Sequence, residues 1–137
     1  MELLTEADPS EARVNEYLSD SWCFAAFVDN TMVGVCVTKQ IHPGIGEIFN
    51  IAVRPESQKK GIGTQLIKYT LAQLAAKSIK VVMLGTGTFG YQLAFYQRLG
   101  FRVESVIKDF FLDNYEEPLF EQGIQLKDML RLYLELT

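Results

Sequence analysis

One stretch of the chain reads Ile51-Ala52-Val53-Arg54-Pro55-Glu56-Ser57-Gln58-Lys59-Lys60-Gly61-Ile62-Gly63-Thr64. Its β-branched start predicts a strand, Pro55 ends that strand, and the two glycines open a helix. The first turn of a helix leaves backbone N–H groups unpaired at the positive end of the helix dipole. Gly61 and Gly63 have no side chains, so a phosphate group can approach this backbone closely. Because Lys59 and Lys60 add positive charge, the stretch predicts an anion site shaped for a phosphate or pyrophosphate.

The same stretch has a simpler interpretation, in which the glycines serve only the turn and the lysines lie on a solvated face. A Gly-x-Gly pattern alone does not separate the two interpretations. The Val-x-Pro that precedes it and Gln58 in the turn favour phosphate binding.

A second glycine motif competes with the first. The residues from Gly85 to Gly90 match the pattern G-x-G-x-x-G, follow a predicted strand and precede a predicted helix. Glu104 follows at about 20 residues, where a dinucleotide site has an acidic residue. However, Glu104 falls inside a predicted strand, and the motif comes too late in the chain to open a dinucleotide-binding domain. Dinucleotide binding is therefore the rival hypothesis and the less favoured one.

The composition is typical of a folded, soluble protein. The chain has 137 residues, of which 48% are apolar and 22% charged, and its net charge is -4. This length predicts a single domain over residues 1–137, and the acidic balance argues against a nucleic-acid partner. No apolar run reaches the roughly 20 residues that span a bilayer, and the N-terminus has no signal pattern, so no membrane partner and a cytoplasmic location are expected. Cys23 and Cys36 lie in apolar runs and are expected to be buried free thiols.

Periodicity predicts alternating strands and helices. A capped helix covers about 8–18, and an Asx turn at Asp29-Asn30 joins two strands into a hairpin. A loop covers 41–46, and Gly100 suits the left-handed position that ends a helix. The predicted strands cover 22–28, 32–37, 47–53, 80–84, 101–107 and 129–136, and the later helices cover 63–77 and 93–99. The region 109–125 is mixed and carries no clear pattern. This order predicts an α/β (α+β) fold with a mixed, mostly antiparallel sheet flanked by helices.

Two motifs resemble those of the GNAT acetyltransferases. The run from Gln58 to Gly63 is similar to the family's Q/R-x-x-G-x-G/A motif, and 93–101 resembles its A-x-x-x-Y-x-x-x-G-F pattern. Together the resemblance covers about 48–101, in the expected order, and the predicted element order is that of a GNAT fold with its splayed sheet. The resemblance implies acetyl-CoA as co-substrate, no metal, and transfer of an acetyl group to a primary amine in a ternary complex.

The resemblance also assigns the coenzyme site. The motif's backbone amides would hold the pyrophosphate, and the backbone of the preceding strand would pair with the pantetheine arm. Many family members carry an asparagine after the next strand, where this chain has Thr88, whose hydroxyl has a shorter reach. The residues expected to bind the coenzyme are Ile51, Ala52, Val53, Gln58, Lys59, Lys60, Gly61, Ile62, Gly63, Thr64 and Thr88.

Two residues are candidates for catalysis. By resemblance, Tyr96 is the general acid that protonates the departing thiolate, and a phenol with a pKa of about 10 keeps its proton at neutral pH. The alternative role for Tyr96 is that of a core aromatic residue. Glu47, at the head of the splayed strand, is the candidate general base; a solvated charge at a strand end is the alternative.

The acceptor cannot be identified from the sequence. By resemblance, the acidic and aromatic region 109–128 helps to build the acceptor site or a dimer contact, and carboxylates beside rings suit a cationic amine. An acidic surface loop is the competing interpretation. The expected partners are thus a small-molecule or peptide amine and a second copy of the chain in a homodimer. A non-catalytic acyl-CoA-binding or sensor domain is the alternative function.

Overall fold

The computed structural model describes residues 20–58 and 60–136. The predicted helix over about 8–18 and Lys59 lie outside these ranges. The strands are β1 (Trp22–Val28), β2 (Thr31–His42), β3 (Ile45–Val53), β4 (Val81–Gly87), β5 (Arg102–Ile107), β6 (Phe120–Glu121), β7 (Ile124–Gln125) and β8 (Met129–Glu135). The helices are α1 (Ile62–Ala76), α2 (Tyr91–Arg98) and α3 (Phe110–Asn114), and a 3-10 turn covers Pro55–Ser57.

Six of the strands form a sheet, and β6 and β7 form a separate two-stranded hairpin. The described chain divides into two compact units, of which the first ends at Val82 and includes Leu136, and the second is Met83–Glu135. The prediction of a mostly antiparallel sheet with helices is confirmed, since β1–β2, β2–β3 and β5–β8 all pair antiparallel. The prediction of a single domain stays a prediction.

A tight turn makes the first hairpin. Val28 pairs with Thr31, so the loop between β1 and β2 has two residues, Asp29 and Asn30, with φ of 51° and 67°. Two consecutive positive φ angles are typical of the type I′ turn, whose twist matches that of the strands it joins. The predicted hairpin with its turn at Asp29-Asn30 is therefore confirmed.

Strand β2 is longer than its sequence pattern predicts. It continues to His42, which pairs with Ile45 across a two-residue turn of Pro43 and Gly44. Gly44 has φ of 77°, a conformation that glycine adopts without steric cost. The predicted loop over 41–46 was wrong, because the turn residues in its middle concealed flanking residues that pair in the sheet.

The core of the first unit lies between α1 and the three antiparallel strands β1, β2 and β3. Six consecutive residues of β2, Val33 to Thr38, are buried, whereas β3 alternates between buried and half-buried positions. Helix α1 buries Leu66, Ile67, Thr70 and Leu74. A side chain on Gly34 would lie 3.3 Å from the Leu66 side chain, so the small residue lets the helix approach the sheet closely.

The second unit is built on the strands β4, β8 and β5, in that order. Its buried apolar residues include Leu84, Phe101, Met129 and Leu132. Strand β5 is exposed along its whole length, which is the environment of a strand at the edge of a sheet.

The segment 109–128, which the sequence left unassigned, is held by local hydrogen bonds. The Asp109 N–H donates to the Asp128 carboxylate at 2.8 Å, and the Phe111 N–H donates to the Lys127 carbonyl at 2.9 Å. Between these ties lie α3 and the β6–β7 hairpin, whose turn residues Gln122 and Gly123 have φ of 54° and 76°. The segment is thus an ordered connection between β5 and β8 that contains its own helix and hairpin.

The two cysteines differ in environment. Cys36 is fully buried on β2, as predicted, and burial raises the pKa of its thiol to about 12. Cys23 is exposed, so the prediction that both thiols are buried was wrong for this residue. Strand β1 alternates, and Cys23 lies on its outward face, between the half-buried Trp22 and Phe24.

Candidate functional site

The segment between β3 and α1 is a short, hydrogen-bonded turn. Pro55 occupies the start of the 3-10 turn, where a missing N–H costs nothing. The Ser57 N–H donates to the Arg54 carbonyl at 2.8 Å, and the Gln58 N–H donates to the Pro55 carbonyl at 3.3 Å. Arg54 continues the β2–β3 pairing by donating its backbone N–H to Val33 O at 2.7 Å. The chain therefore leaves the sheet in a defined direction before it reaches α1.

Gly61 caps α1 in a left-handed conformation with open space beside it. Its φ and ψ are 78° and 4°, and no atom of the described residues, apart from its chain neighbours and the helix's own backbone, lies within 4 Å of the position that a Cβ would take. The Gln65 N–H donates to the Gly61 carbonyl at 3.0 Å, which begins the helix at this residue. Gly61 supplies no side-chain cap, and the first turn of α1 contains no acidic residue. The arrangement offers backbone donors and the positive end of a 15-residue helix to an anion.

The predicted coenzyme-binding residues of the first unit are adjacent in the structure. Lys60 is exposed next to Gly61, and Ile62, Gly63 and Thr64 form the half-buried first turn of α1. Gln58 is exposed, and its Nε2 donates to the Val53 carbonyl at 2.9 Å, which joins the turn to the last residue of β3.

Strand β3 carries the residues predicted to face the pantetheine arm. Ile51, Ala52 and Val53 pair with Cys36, Val35 and Gly34 of β2. Closer to the middle of the strand the register shifts, so that Val37 lies opposite Asn50 and Thr38 opposite Ile48. Such irregularities bend a strand and redirect its backbone and side chains, and they are common beside active sites.

Glu47 lies on β3 directly opposite Lys39 of β2 and is half-buried. A cross-strand pair of opposite charges stabilises a sheet modestly, so Glu47 has a structural role available beside the predicted catalytic one. Its role as a general base stays a prediction.

Tyr96 lies in the last turn of α2 and is 8% exposed. The helix ends in a Schellman motif, in which Phe101 N–H donates to Tyr96 O at 3.1 Å and Gly100 N–H donates to Gln97 O at 3.0 Å. Gly100 has φ of 104°, so the predicted left-handed residue is confirmed. The rings of Tyr96 and Phe101 meet edge to face with centroids 5.9 Å apart. These contacts fix the orientation of the phenol, which a core aromatic and a proton donor both require.

The second glycine motif is occupied by the protein itself. A Cβ on Gly85 would lie 2.0 Å from the sulfur of Met129, and one on Gly87 would lie 2.9 Å from Leu126 Cδ2. A Cβ on Gly90 would lie 2.5 Å from a carboxylate oxygen of Glu121. Two apolar side chains and an anionic group thus fill the space that a dinucleotide phosphate would need. Thr88, between these glycines, is exposed just after β4.

The sequence analysis missed two residues that shape the second unit. Asp128 accepts the hydrogen bond that starts the segment 109–128, and Glu121 brings the β6–β7 hairpin to Gly90, the residue just before α2. Each interaction joins residues that are about 20 or more positions apart, so no local pattern indicates it. Within the described ranges, no three His, Cys, Asp or Glu side chains are grouped as metal ligands, and no helix has the length and apolar character to cross a bilayer.

Comparison with known proteins agrees with the fold and the motifs. A model of the Acetyltransferase (GNAT) family matches residues 2–101. The chain is 42% identical over 136 residues to the uncharacterized N-acetyltransferase YvbK of Bacillus subtilis, covering 98% of this chain and 88% of the relative.

Solved structures match along nearly the whole chain. A GNAT family acetyltransferase from Elizabethkingia anophelis with acetyl-CoA bound has a TM-score of 0.95 at 39% identity, covering 98% of this chain and 89% of that one. A Bacillus subtilis acetyltransferase in complex with CoA has a TM-score of 0.93 at 42% identity, covering 99% and 90%. The predicted fold class is thereby confirmed, and the chain belongs to the GNAT acetyltransferase family.

Proposed function

We propose that the chain is an N-acetyltransferase that transfers an acetyl group from acetyl-CoA to a primary amine by direct attack. One observation carries the proposal: Gly61 begins α1 with positive φ and no side-chain cap, and in the described part of the chain nothing beyond its neighbours and the helix backbone lies within 4 Å of its Cβ position. A pyrophosphate needs unpaired backbone donors and room to approach them, and this helix start supplies both. The relatives of similar length that hold acetyl-CoA or CoA support the same assignment.

The residues present fit coenzyme A. Lys60 to Thr64, together with Lys59 in the sequence, would hold the pyrophosphate, and the backbone of Ile51 to Val53 would orient the pantetheine arm. The coenzyme supplies the acetyl group as a thioester, which is activated toward amines. Thr88 offers a hydroxyl after β4 as a further coenzyme contact, and Gln58 lies in the turn that leads to the pyrophosphate site.

Two side chains of the protein would transfer protons during the reaction. In the step that we propose, the neutral amine forms a bond to the acetyl carbon while the carbon–sulfur bond breaks. Tyr96 donates its phenol proton to the departing sulfur, and Glu47, directly or through water, accepts a proton from the attacking nitrogen. Holding both substrates in line supplies much of the rate enhancement. This scheme requires no nucleophile from the protein.

The acceptor is a small-molecule or peptide amine, and we assign its recognition to the segment 109–128. Its exposed carboxylates include Asp113, Glu116 and Glu117, and it carries aromatic rings at Phe110, Phe111 and Tyr115. Within the segment, the ring of Phe111 stacks on Tyr115 with centroids 6.0 Å apart. Carboxylates beside aromatic faces attract a cationic amine before it loses its proton. We also propose that the chain, as a single GNAT domain, forms a homodimer, which sedimentation would test.

Calorimetric titration with acetyl-CoA tests the proposal. The Gly61→Glu variant places a carboxylate at the anion site, and we expect it to abolish binding. Gly123→Glu is the matched control, because Gly123 also has positive φ and no atom within 4 Å of its Cβ position. Both substitutions carry the same backbone strain of about 1–2 kcal/mol, so only their location differs.

The same titration with NADH tests the rival hypothesis. Binding of acetyl-CoA that is lost only in Gly61→Glu would support the proposed site and justify a screen of amine acceptors. Binding of NADH without acetyl-CoA would contradict the proposal and favour the second glycine motif.

A further inference from the structure

The turn before α1 contains a side chain that is folded back onto the strand it has just left. Gln58 is exposed, yet its Nε2 donates a hydrogen bond of 2.9 Å to the carbonyl of Val53, five residues earlier. Val53 is the last residue of β3, and Gln58 is three residues before Gly61. The bond therefore closes the part of the turn between Val53 and Gln58.

The backbone of the turn is held less firmly at its end than at its start. Ser57 N–H donates to Arg54 O at 2.8 Å, but the following bond, from Gln58 N–H to Pro55 O, is 3.3 Å long. N–H···O bonds are usually 2.7–3.2 Å long, so the second bond is weak. Gln58 then becomes extended, with φ of -70° and ψ of 159°. The hydrogen bond from the Gln58 side chain to Val53 O therefore holds the turn where its backbone hydrogen bonds are weaker.

The start of the turn is anchored independently. Arg54 donates its backbone N–H to Val33 O at 2.7 Å and its side-chain Nε to Met32 O at 2.8 Å, both on β2. The turn is thus fixed to the sheet at two points. Arg54 binds β2 directly, and Gln58 binds the carbonyl of Val53, the residue before Arg54. Two anchors at the sheet hold residues 54–58 in place.

We propose that Gln58 is a positioning residue: it acts on the coenzyme through the Val53 carbonyl, by holding the turn so that the N–H groups of Lys60 to Thr64 are already arranged for the pyrophosphate. This inference rests on the proposed function and refines it, since Gln58 was expected to bind the coenzyme directly. Of the two N–H groups on Gln58 Nε2, the one that binds Val53 O is not available to a phosphate, and this bond directs the amide toward the strand. A turn ordered in advance lowers the entropy cost of binding.

Amide hydrogen exchange in the protein without coenzyme separates positioning from direct contact. In Gln58→Leu, which lacks the donor, we expect hydrogen exchange at the N–H groups of Ser57 and Gln65 to accelerate about 3- to 10-fold. This factor corresponds to losing the net stabilisation that one hydrogen bond provides. Gln58→Glu keeps the size of the side chain but also removes the N–H donor, so it should behave alike. Gln40→Leu, an exposed glutamine of β2, is the control and should leave exchange in the turn unchanged.

The second measurement is the acetyl-CoA affinity and turnover of Gln58→Leu, again with Gln40→Leu as the control; Gln58→Glu is left out here because its carboxylate would also repel the pyrophosphate. Positioning predicts a Kd and KM for acetyl-CoA raised about 3- to 10-fold, with kcat unchanged. Weaker binding with unchanged exchange would overturn the inference in favour of direct contact, and faster exchange with unchanged affinity would overturn it as well. If the wild-type protein bound no acetyl-CoA, the proposed function would fail and the inference with it, an outcome distinct from either of these.

Discussion

The molecule contains two glycine-rich segments that each follow a strand and begin a helix, and their surroundings are opposite. At Gly61 the space beside the backbone is open, whereas at Gly85, Gly87 and Gly90 it is taken by Met129, Leu126 and Glu121. In the first segment the missing side chain leaves room for an anion, and in the second it leaves room for the protein's own β8 and β6–β7 hairpin. The same residue type thus leaves open space in one place and allows close packing in the other, and we propose that the open space serves recognition of the coenzyme.

A glycine motif alone does not identify a ligand site. The second segment matches the dinucleotide pattern at each glycine, but the pattern states only where side chains are missing. Whether a ligand or the protein fills the resulting space depends on residues 30 to 45 positions further along the chain. Substitutions in the two segments should therefore separate into effects on coenzyme binding and effects on stability.

The largest effect is expected at Tyr96, on the helix that the second segment begins. Tyr96→Phe removes the phenol proton but keeps the ring that packs on Phe101, so the helix end should survive. Loss of a general acid typically costs 10²- to 10⁴-fold in rate, and we expect kcat to fall about 100-fold or more. Acetyl-CoA affinity should stay within two- to threefold of wild type, roughly the uncertainty of such a comparison.

Steady-state kinetics on any amine found in the acceptor screen provides the check. Unchanged turnover in Tyr96→Phe would mean that the acid is another group. If the wild type bound acetyl-CoA tightly but turned over none of a broad set of amines, the non-catalytic acyl-CoA-binding alternative would gain support instead.

The next effect concerns stability at Gly90. Its φ of 105° and ψ of 171° are almost confined to glycine, and a Cβ would also collide with Glu121. We expect Gly90→Ala to lower the free energy of unfolding by roughly 2–3 kcal/mol, the sum of strain and collision. Chemical denaturation measures this loss, and adding Glu121→Ala should restore the part that comes from the collision. Full stability in the single variant would show that the hairpin does not press on this position.

A smaller loss is expected at Gly85, where only packing opposes a side chain. Gly85→Ala forces the buried Met129 to move, and overpacking of this kind costs about 1–3 kcal/mol, toward the lower end for a flexible methionine. Gly61→Ala, its counterpart in the first segment, should cost a similar amount, about 1–2 kcal/mol, through backbone strain alone. In a double-mutant cycle, Met129→Ala should reduce the loss caused by Gly85→Ala but not the loss caused by Gly61→Ala. The same response in both variants would remove the contrast between an open and a filled glycine.

The smallest effect separates the two thiols. Because burial raises the pKa of Cys36 to about 12, alkylation of the native protein at pH 8 should modify Cys23 alone, as mass spectrometry can show. The linkage has a definite sign. The pKa of the Cys36 thiol is 9.0 when it is exposed in the unfolded chain and about 12 in the folded protein, so this contribution to stability is complete below pH 9 and is lost as the pH rises toward 12. Equal labelling of both cysteines would contradict the buried assignment.

Local patterns in the sequence determined much of the framework. The strand over 22–28, the Asp29-Asn30 turn and the left-handed Gly100 were all predicted where the structure has them, because each depends on neighbouring residues only. The glycine start of α1 was also predictable to within a residue, from Pro55 and the change of hydrophobic period. The geometry of the proposed coenzyme-binding motif was therefore predictable, since the motif lies within one strand–turn–helix unit.

The tertiary structure alone decided what fills each space. Cys23 proved exposed although its sequence neighbours are apolar, and β2 extended through residues that looked like a loop, because pairing with β3 outweighed their local preference. The contacts of Gly85 with Met129 and of Gly90 with Glu121 join residues more than 30 positions apart. Side-chain volume at such distances leaves no periodic signal in the sequence, so only the folded chain distinguishes a glycine that is open to a ligand from one that is already occupied.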